Sequence, residues 1–120
     1  MVERIHGLPE NVLGFSAKRE VTGADYESVI IPAVEELLAH QSKIRLLYHL
    51  GEEFSGFDAK AMWDDAKVGL QHLTVWERVA VVTNVDWIRT AMKVFGFILP
   101  GEVRCFSNRE LSEARQWLCE

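Results

Sequence analysis

The chain has few of the residues that mark disordered, disulfide-rich or nucleic-acid-binding proteins. Its 120 residues include only 2 cysteines, 3 prolines and 8 glycines, and its 13 Lys and Arg are outnumbered by 18 Asp and Glu. The low Pro and Gly content excludes a disordered or collagen-like chain. The net charge of −5 repels phosphate backbones, so we expect no nucleic-acid partner. The length predicts a single domain over residues 1–120.

Long apolar runs and targeting signals are also missing. Glu3, Arg4 and Glu10 interrupt the first segment, and no run approaches the roughly 18 apolar residues that span a bilayer. We therefore expect a cytoplasmic protein. Cys105 and Cys119 form no CxxC pair, which predicts two free thiols and excludes a thioredoxin-like motif.

The short motifs of the common enzyme and nucleotide-binding classes do not occur. The chain contains no GxGxxG, GxxxxGK[ST], GxSxG or HxxxH sequence. His49 lies near Glu52 and Glu53, but an ordinary charged loop explains this cluster. Asp64 and Asp65 would point about 100° apart on a helix, which does not suit a catalytic carboxylate pair. We expect no enzymatic activity, no metal and no cofactor.

Strand-like runs alternate with helical ones along the chain. The apolar patterning predicts strands at about 2–6, 12–18, 43–50, 79–83 and 102–106, with helices between and after them. Thr22 and Ser107 are suitable N-caps, and Pro32 either kinks the first helix or begins a new one. The order ββαβαβαβα predicts an α/β fold, with a mixed, mostly parallel sheet of about five strands flanked by four helices. The loops at 51–57 and 83–86 follow central strands, where ligands and switches tend to lie.

The second predicted helix has apolar residues at helical spacing, which we expect to form its packed face. Lys60 and Asp64 are four residues apart and predict a surface ion pair. The predicted packed face comprises Ala59, Met62, Trp63, Ala66, Leu70 and Leu73.

The third predicted helix has more apolar residues than one buried face requires. Val94 and Phe97 fall on the side opposite its apolar stripe, so its last turns are apolar all round. Burying one Phe contributes about 1.5 to 3 kcal/mol, so we expect something to cover this end. The stripe itself comprises Ile88, Ala91, Met92, Phe95, Ile98 and Leu99.

Four coverings of this helix end remain open. One is an enlarged core, and another is a homodimer interface. A third is a membrane surface, contacted by Arg89, Lys93, Val94 and Phe97. The fourth is an apolar ligand in a pocket with Trp63 and Trp87 nearby, although tryptophans at helical spacing are also common in cores.

Long stretches of the chain resemble the SpoIIAA-like bacterial proteins, which are placed with the STAS domains of sulfate transporters and anti-sigma factor antagonists. The resemblance covers KIRLLYHLGEEFSGFDAKAMWDDAKVGLQHL, RVAVVTNVDWIRTAMKVFGFILPGEVRCF and EARQWL. It implies a mixed sheet flanked by helices. In STAS antagonists, a kinase that is also the binding partner phosphorylates a serine in the loop after a central strand, which adds charge and blocks docking. Ser55 lies in that loop here. Antagonists usually carry an Asp-Ser or Ser-Ser/Thr pair before a glycine in this loop, whereas this chain has Glu53, Phe54 and Ser55 before Gly56.

The SpoIIAA-like branch also resembles lipid-binding domains of the CRAL-TRIO type, in which a mobile helix covers an apolar cavity. By this resemblance the third helix is the lid. The leading prediction is a non-enzymatic binding domain for an apolar or lipid-like small ligand, peripheral at a membrane, whose ligand contacts are Trp63, Trp87, Met92, Phe95 and Phe97. The alternative is a protein-interaction switch controlled by phosphorylation of Ser55.

Overall fold

The protein folds around one five-stranded sheet. The computed structural model describes residues 1–72 and 74–120, and the side chains of all of these except 69 and 70. Strand β1 runs antiparallel to β2, and the pairs β2–β3, β3–β4 and β4–β5 are parallel, which confirms the predicted mixed sheet. The strands lie in chain order and are β1 (Val2–Arg4), β2 (Val12–Val21), β3 (Ile44–Phe57), β4 (Trp76–Thr83) and β5 (Glu102–Phe106).

Four helical segments follow the strands in the predicted order. The first, α1, consists of an α-helical turn (Gly23–Asp25), a π-helical turn (Tyr26–Ile30) and an α-helix (Ile31–Leu38). The others are α2 (Ala59–Gln71), α3 (Asp86–Ile98) and α4 (Leu111–Cys119), the last preceded by a 3₁₀ turn (Asn108–Glu110). Leu73 and the side chain of Leu70, both predicted to pack from the second helix, lie outside the described residues.

Local capping chemistry begins α1 as the sequence predicts. Thr22 and Asp25 form a capping box, in which each side chain accepts a hydrogen bond from the other residue's backbone N–H. The α-helical part starts at Ile31, directly after the π-helical turn, and Pro32 lies in its first turn. Proline is suited to this position because the first amides of a helix have no intrahelical partner.

The two faces of the sheet are covered differently. In β4, Val79 and Val81 face the core under α1, α2 and α3, whereas Ala80 and Val82 face α4. This alternation follows from the two-residue period of a strand. On the α4 side, the centre of the Trp117 ring is 4.9 Å from the guanidinium carbon of Arg104 and 5.1 Å from that of Arg78.

Strand β3 is longer than predicted, and the prediction of a loop at 51–57 is wrong because these residues belong to the strand. The strand runs to Phe57 because β2 continues alongside it to Val21, which pairs with Phe57. The pairing passes a bulge at Arg19, whose φ of 57° is unusual for a residue other than glycine. Ser55 consequently lies within a strand instead of a loop.

Candidate functional site

An apolar cavity of about 220 Å³ lies between the sheet and helices α1, α2 and α3. It is larger than the roughly 150 Å³ cavity that accepts benzene in an engineered protein. It is smaller than the roughly 300 to 1,000 Å³ sites that hold drug-sized ligands. The cavity therefore has room for a molecule of about one ring with a short chain.

The cavity results from the way α2 and α3 are placed on the sheet. Helix α3 packs on β4 and β5, whereas α2 packs against β3 and the start of α1. Within the described parts of the chain, α2 and α3 share at most marginal backbone contact. A gap therefore remains above the two central strands.

The rim of the cavity lies near the carboxyl ends of the central strands. Met62 of α2 and Trp87 of α3 both line the cavity and are both 51% exposed. Phe57, the last residue of β3, contacts the Trp87 ring edge to face with 6.3 Å between the ring centres. Ligands of open α/β sheets commonly bind at this edge.

Helix α3 divides its predicted ligand residues between the cavity and the surface. Trp87, Met92 and Phe95 line the cavity, as does the buried Ile88. Phe97 is 92% exposed and does not line it. Nine residues separate Phe97 from Ile88, which at 100° each places the two side chains on opposite sides of the helix.

The predicted packed face of α2 is wrong. Ala61 and Val68 point inward, whereas Met62 is half-exposed and Trp63 is 70% exposed. Trp63 follows Ala61 by two residues, or about 200°, so its side chain points away from the cavity. The inward face instead includes a carboxylate, Asp65, which lines the cavity.

Three polar side chains form a hydrogen-bonded chain on the cavity wall. The Tyr26 hydroxyl donates to Asp65 Oδ1 at 2.6 Å, and the Tyr26 and Tyr48 hydroxyl oxygens are 3.0 Å apart. All three residues line the cavity. Tyr26 reaches this position from the π-helical turn of α1, a feature that is frequent at functional sites. We name these residues the Asp65 cluster.

Burial sets the protonation of the Asp65 cluster. It raises the pKa of Asp65, although the hydrogen bond from Tyr26 acts in the opposite direction. Burial, reinforced by the nearby Asp65 charge, also raises the pKa of Tyr26 and of Tyr48. Both phenols therefore keep their protons at neutral pH and act as hydrogen-bond donors.

Sequence reasoning missed this cluster because its members are far apart in the chain. Tyr26 and Asp65 are separated by 39 residues and meet only through the tertiary fold. The apolar spacing of the second helix also places Asp65 off its predicted packed face. The available signal was the position of Tyr26 and Tyr48, two aromatics with polar ends, within otherwise apolar patterns.

A buried donor without a partner in the described parts of the chain lies at the start of β4. Trp76 lines the cavity and is buried, and its indole Nε1 has no hydrogen-bond partner among the described residues. Buried indole N–H groups usually find a partner. In Trp76 this donor is left without a partner within residues 1–72 and 74–120.

One of the predicted membrane contacts of α3 is partly buried, and the other three are exposed to solvent. Arg89 is partly buried and donates a hydrogen bond to the Thr83 carbonyl oxygen at 3.0 Å. Lys93, Val94 and Phe97 are exposed. Val85 is the N-cap of this helix, and the side chain of the preceding Asn84 accepts a hydrogen bond from the Asn108 backbone N–H at 2.9 Å.

Ser55 is exposed near the end of β3. It precedes by three residues Asp58, whose Oδ1 caps α2 by accepting a hydrogen bond from the Ala61 N–H at 2.7 Å. Its hydroxyl is therefore accessible beside the start of the helix that lines the cavity.

Thiols, metal-ligand groups and helix lengths complete the description of the site's surroundings. Cys105 and Cys119 are free thiols, as predicted. No three His, Cys, Asp or Glu side chains come together as a metal-binding group in residues 1–72 and 74–120. None of the helices in this part of the chain has the length and apolarity needed to cross a bilayer.

Comparisons with known proteins identify similar chains. The family model named SpoIIAA-like matches residues 12–119. A crystal structure of an uncharacterized DUF3478-family protein with a SpoIIAA-like fold, from Shewanella loihica PV-4, is 30% identical and has a TM-score of 0.78. The match covers 99% of this chain and 93% of the Shewanella chain. No curated protein matches the sequence.

Proposed function

The chain belongs to the SpoIIAA-like family, whose members are generally non-enzymatic, and we propose that it is a binding domain for an apolar or lipid-like small molecule held in the cavity beneath α3. The fold is of the STAS type, as the sequence resemblance predicts.

The cavity is the observation that carries this proposal. Protein interiors are close-packed, so a gap of about 220 Å³ in a chain of 120 residues forfeits packing energy. A ligand that fills it restores those contacts. The half-exposed Met62 and Trp87 at the rim give a small molecule a route inward.

The exposed end of α3 supports a location at a membrane surface. Phe97 is almost fully exposed, and Val94 is 60% exposed beside it on the same helix. Lys93, also exposed, is placed to meet lipid headgroups. A ligand drawn from a bilayer would then enter close to the helix that contacts the lipid.

The proposal is tested by titrating the protein with propylbenzene, an uncharged molecule of one ring and a short chain. In proton–nitrogen NMR spectra, we expect the amide resonances of residues around the cavity to change their chemical shifts as propylbenzene is added. Met92→Trp adds volume at the wall and is expected to weaken binding about tenfold or more. Trp63→Ala removes an exposed ring outside the cavity and is the matched control, which is expected to bind as the wild type does.

Two outcomes would contradict the proposal. One is an absence of saturable shifts in the wild-type protein. The other is binding that Trp63→Ala weakens as much as Met92→Trp does, since the probe would then sit on the surface.

A second candidate function, a protein-interaction switch, is favoured by the exposure of Ser55 in a protein of this family. A phosphate there would add about −1.5 to −2 charges. It would join the exposed carboxylates of Glu52 and Glu53 and create a strongly negative edge at the end of β3.

Intact-mass measurement tests the switch. The protein is incubated with ATP and extract of the source cells, with Ser55→Ala as the control. Addition of one phosphate to the wild type alone supports the switch. No phosphorylation, or equal phosphorylation of the Ser55→Ala protein, rejects it.

A further inference from the structure

We propose that the ligand presents a hydrogen-bond donor, a hydroxyl or an amine, on an apolar body, and that the Asp65 cluster receives this donor. The inference rests on the proposed function, because it assigns the chemistry of the ligand that occupies the same cavity. It is carried by the direction of the hydrogen bonds within the cluster and by the absence of a cation beside Asp65.

The carboxylate of Asp65 lacks a countercharge. Across the described residues it forms no ion pair, and its side-chain hydrogen bond is the one from Tyr26. The nearby ammonium of Lys60 is engaged by Glu27 at 2.7 Å and by Asp64 at 3.5 Å. A carboxylate in an apolar cavity without a cation is costly, which is typical of a group retained for binding.

The hydrogen bonds of the cluster run in one direction. Tyr26 has a single hydroxyl proton and donates it to Asp65, so in its contact with Tyr48 it accepts. Tyr48 therefore uses its own hydroxyl proton to donate a hydrogen bond to the Tyr26 oxygen. With Asp65 ionised, the cluster has no proton left to offer, and it presents the lone pairs of the Tyr48 oxygen and of the carboxylate.

These acceptors select the polar group of the ligand. A hydroxyl or an amine supplies the donor that the cluster lacks, and a protonated amine would also supply the missing positive charge. A carboxylate or phosphate ligand would bring a second negative charge against Asp65. The size of the cavity also excludes a long acyl chain lying wholly inside it.

Three probes with the same apolar body separate these possibilities. At pH 7, 4-propylphenol carries a donor, propylbenzene carries no polar group, and 4-propylbenzoate carries a carboxylate. For the wild type we expect 4-propylphenol to bind about tenfold tighter than propylbenzene, the effect of about one hydrogen bond. We expect 4-propylbenzoate to bind weakest of the three.

Substitution of Asp65 should change this ranking. In Asp65→Asn the amide oxygen still accepts from Tyr26, and the amide NH₂ turns a donor toward the ligand. The preference for 4-propylphenol is expected to fall to about threefold or less, with 4-propylbenzoate gaining affinity. Tyr48→Phe, which removes one acceptor oxygen, is expected to reduce the preference as well. The control is Asp64→Asn, the same change on the neighbouring residue outside the cavity, and it should keep the wild-type ranking.

The outcomes distinguish this inference from the proposed function. Equal wild-type affinities for 4-propylphenol and propylbenzene overturn the inference and leave an apolar binding site in place. An unchanged ranking in both Asp65→Asn and Tyr48→Phe overturns it too. If none of the three probes binds the wild type, the proposed function and the inference fail together.

Discussion

Asp65 is a residue at which folding and binding have opposite requirements. Its carboxylate lies in an apolar cavity with one hydrogen bond, so ionising it costs free energy in the empty protein. The adjacent Asp64 is buried, and it pairs with Lys60 as the four-residue spacing predicts. Spacing along one helix revealed the ion pair, whereas the contact with Tyr26 depends on how α1 crosses the sheet.

Asp65→Asn is expected to stabilise the empty protein at neutral pH. Because burial raises the pKa of Asp65 in the folded state, its ionisation opposes folding. The cost is absent below the unfolded pKa of about 3.9, grows as the pH rises through the folded pKa, and persists above it. We expect a gain in the free energy of unfolding on the order of 1 kcal/mol at pH 7.

Urea denaturation of both proteins at pH 7 and below pH 4 measures this effect. The gain should shrink toward zero at the acidic pH, where Asp65 is protonated in both states. A variant that is less stable than the wild type at pH 7 would show that the hydrogen bond from Tyr26 to the carboxylate outweighs its desolvation.

Among the strands and helices, local signals predicted some starts and ends but not the extension of β3 or the buried face of α2. Strand β5 has its predicted bounds, and the capping box of Ser107 and Glu110 precedes α4 as expected. The end of β3 was missed because that extension depends on pairing with β2, a contact absent from the local sequence. The buried face of α2 was predicted wrongly because hydrophobicity alone assigns Met62 and Trp63 to that face and Asp65 to the solvent.

The turn from α3 into β5 depends on a glycine. A Cβ on Gly101 would lie 2.1 Å from the Trp76 carbonyl oxygen and 2.8 Å from that of Glu77, both backbone atoms of β4. Gly101→Ala would therefore force β4 and the turn apart. We expect it to lower the free energy of unfolding by about 2 kcal/mol or more.

Gly96→Ala is the matched control for this substitution. Gly96 lies within α3, and its Cβ would meet Val103 at an ordinary contact distance of 3.6 Å. Alanine is favoured over glycine in helices, so this variant is expected to gain up to about 1 kcal/mol. Thermal unfolding of both variants provides the comparison, and equal effects would contradict the close approach at Gly101.

At the scale of the whole molecule, exposed apolar side chains concentrate on the cavity side of the sheet. They come from α2 and α3, whereas α4 covers the other side with the well-buried Ala114, Trp117 and Leu118. The order of strands and helices sufficed to predict the fold class. The location of the cavity required the spacing between α2 and α3, which no sequence pattern encodes. The large exposed side chains of this surface are Met62, Trp63, Trp87, Val94, Phe97 and Ile98.

Phe97→Asp tests what covers this surface. The net charge of −5 opposes attraction to anionic lipid, so membrane contact would depend on apolar insertion. We expect the wild type to float with neutral phosphatidylcholine vesicles and the variant to lose this binding about tenfold, while its affinity for propylbenzene is unchanged. Gln116→Asp, an exposed position on α4, adds the same charge on the opposite side and should retain vesicle binding.

The same variant identifies a homodimer. If wild-type protein is a dimer by light scattering and Phe97→Asp is a monomer, the end of α3 is an interface between two copies. That result, combined with no vesicle flotation of the wild type, would reject the membrane contact.

Two of the four tryptophans, the intrinsic fluorophores of the protein, line the cavity, and the other two lie away from it. Trp76 and Trp87 border the cavity, whereas Trp63 faces solvent and Trp117 lies across the sheet beside two arginines. An occupant would change the surroundings of the first two indoles and leave the other two as an internal reference. The intrinsic emission spectrum would thus divide into a part that reports occupancy and a part that stays constant.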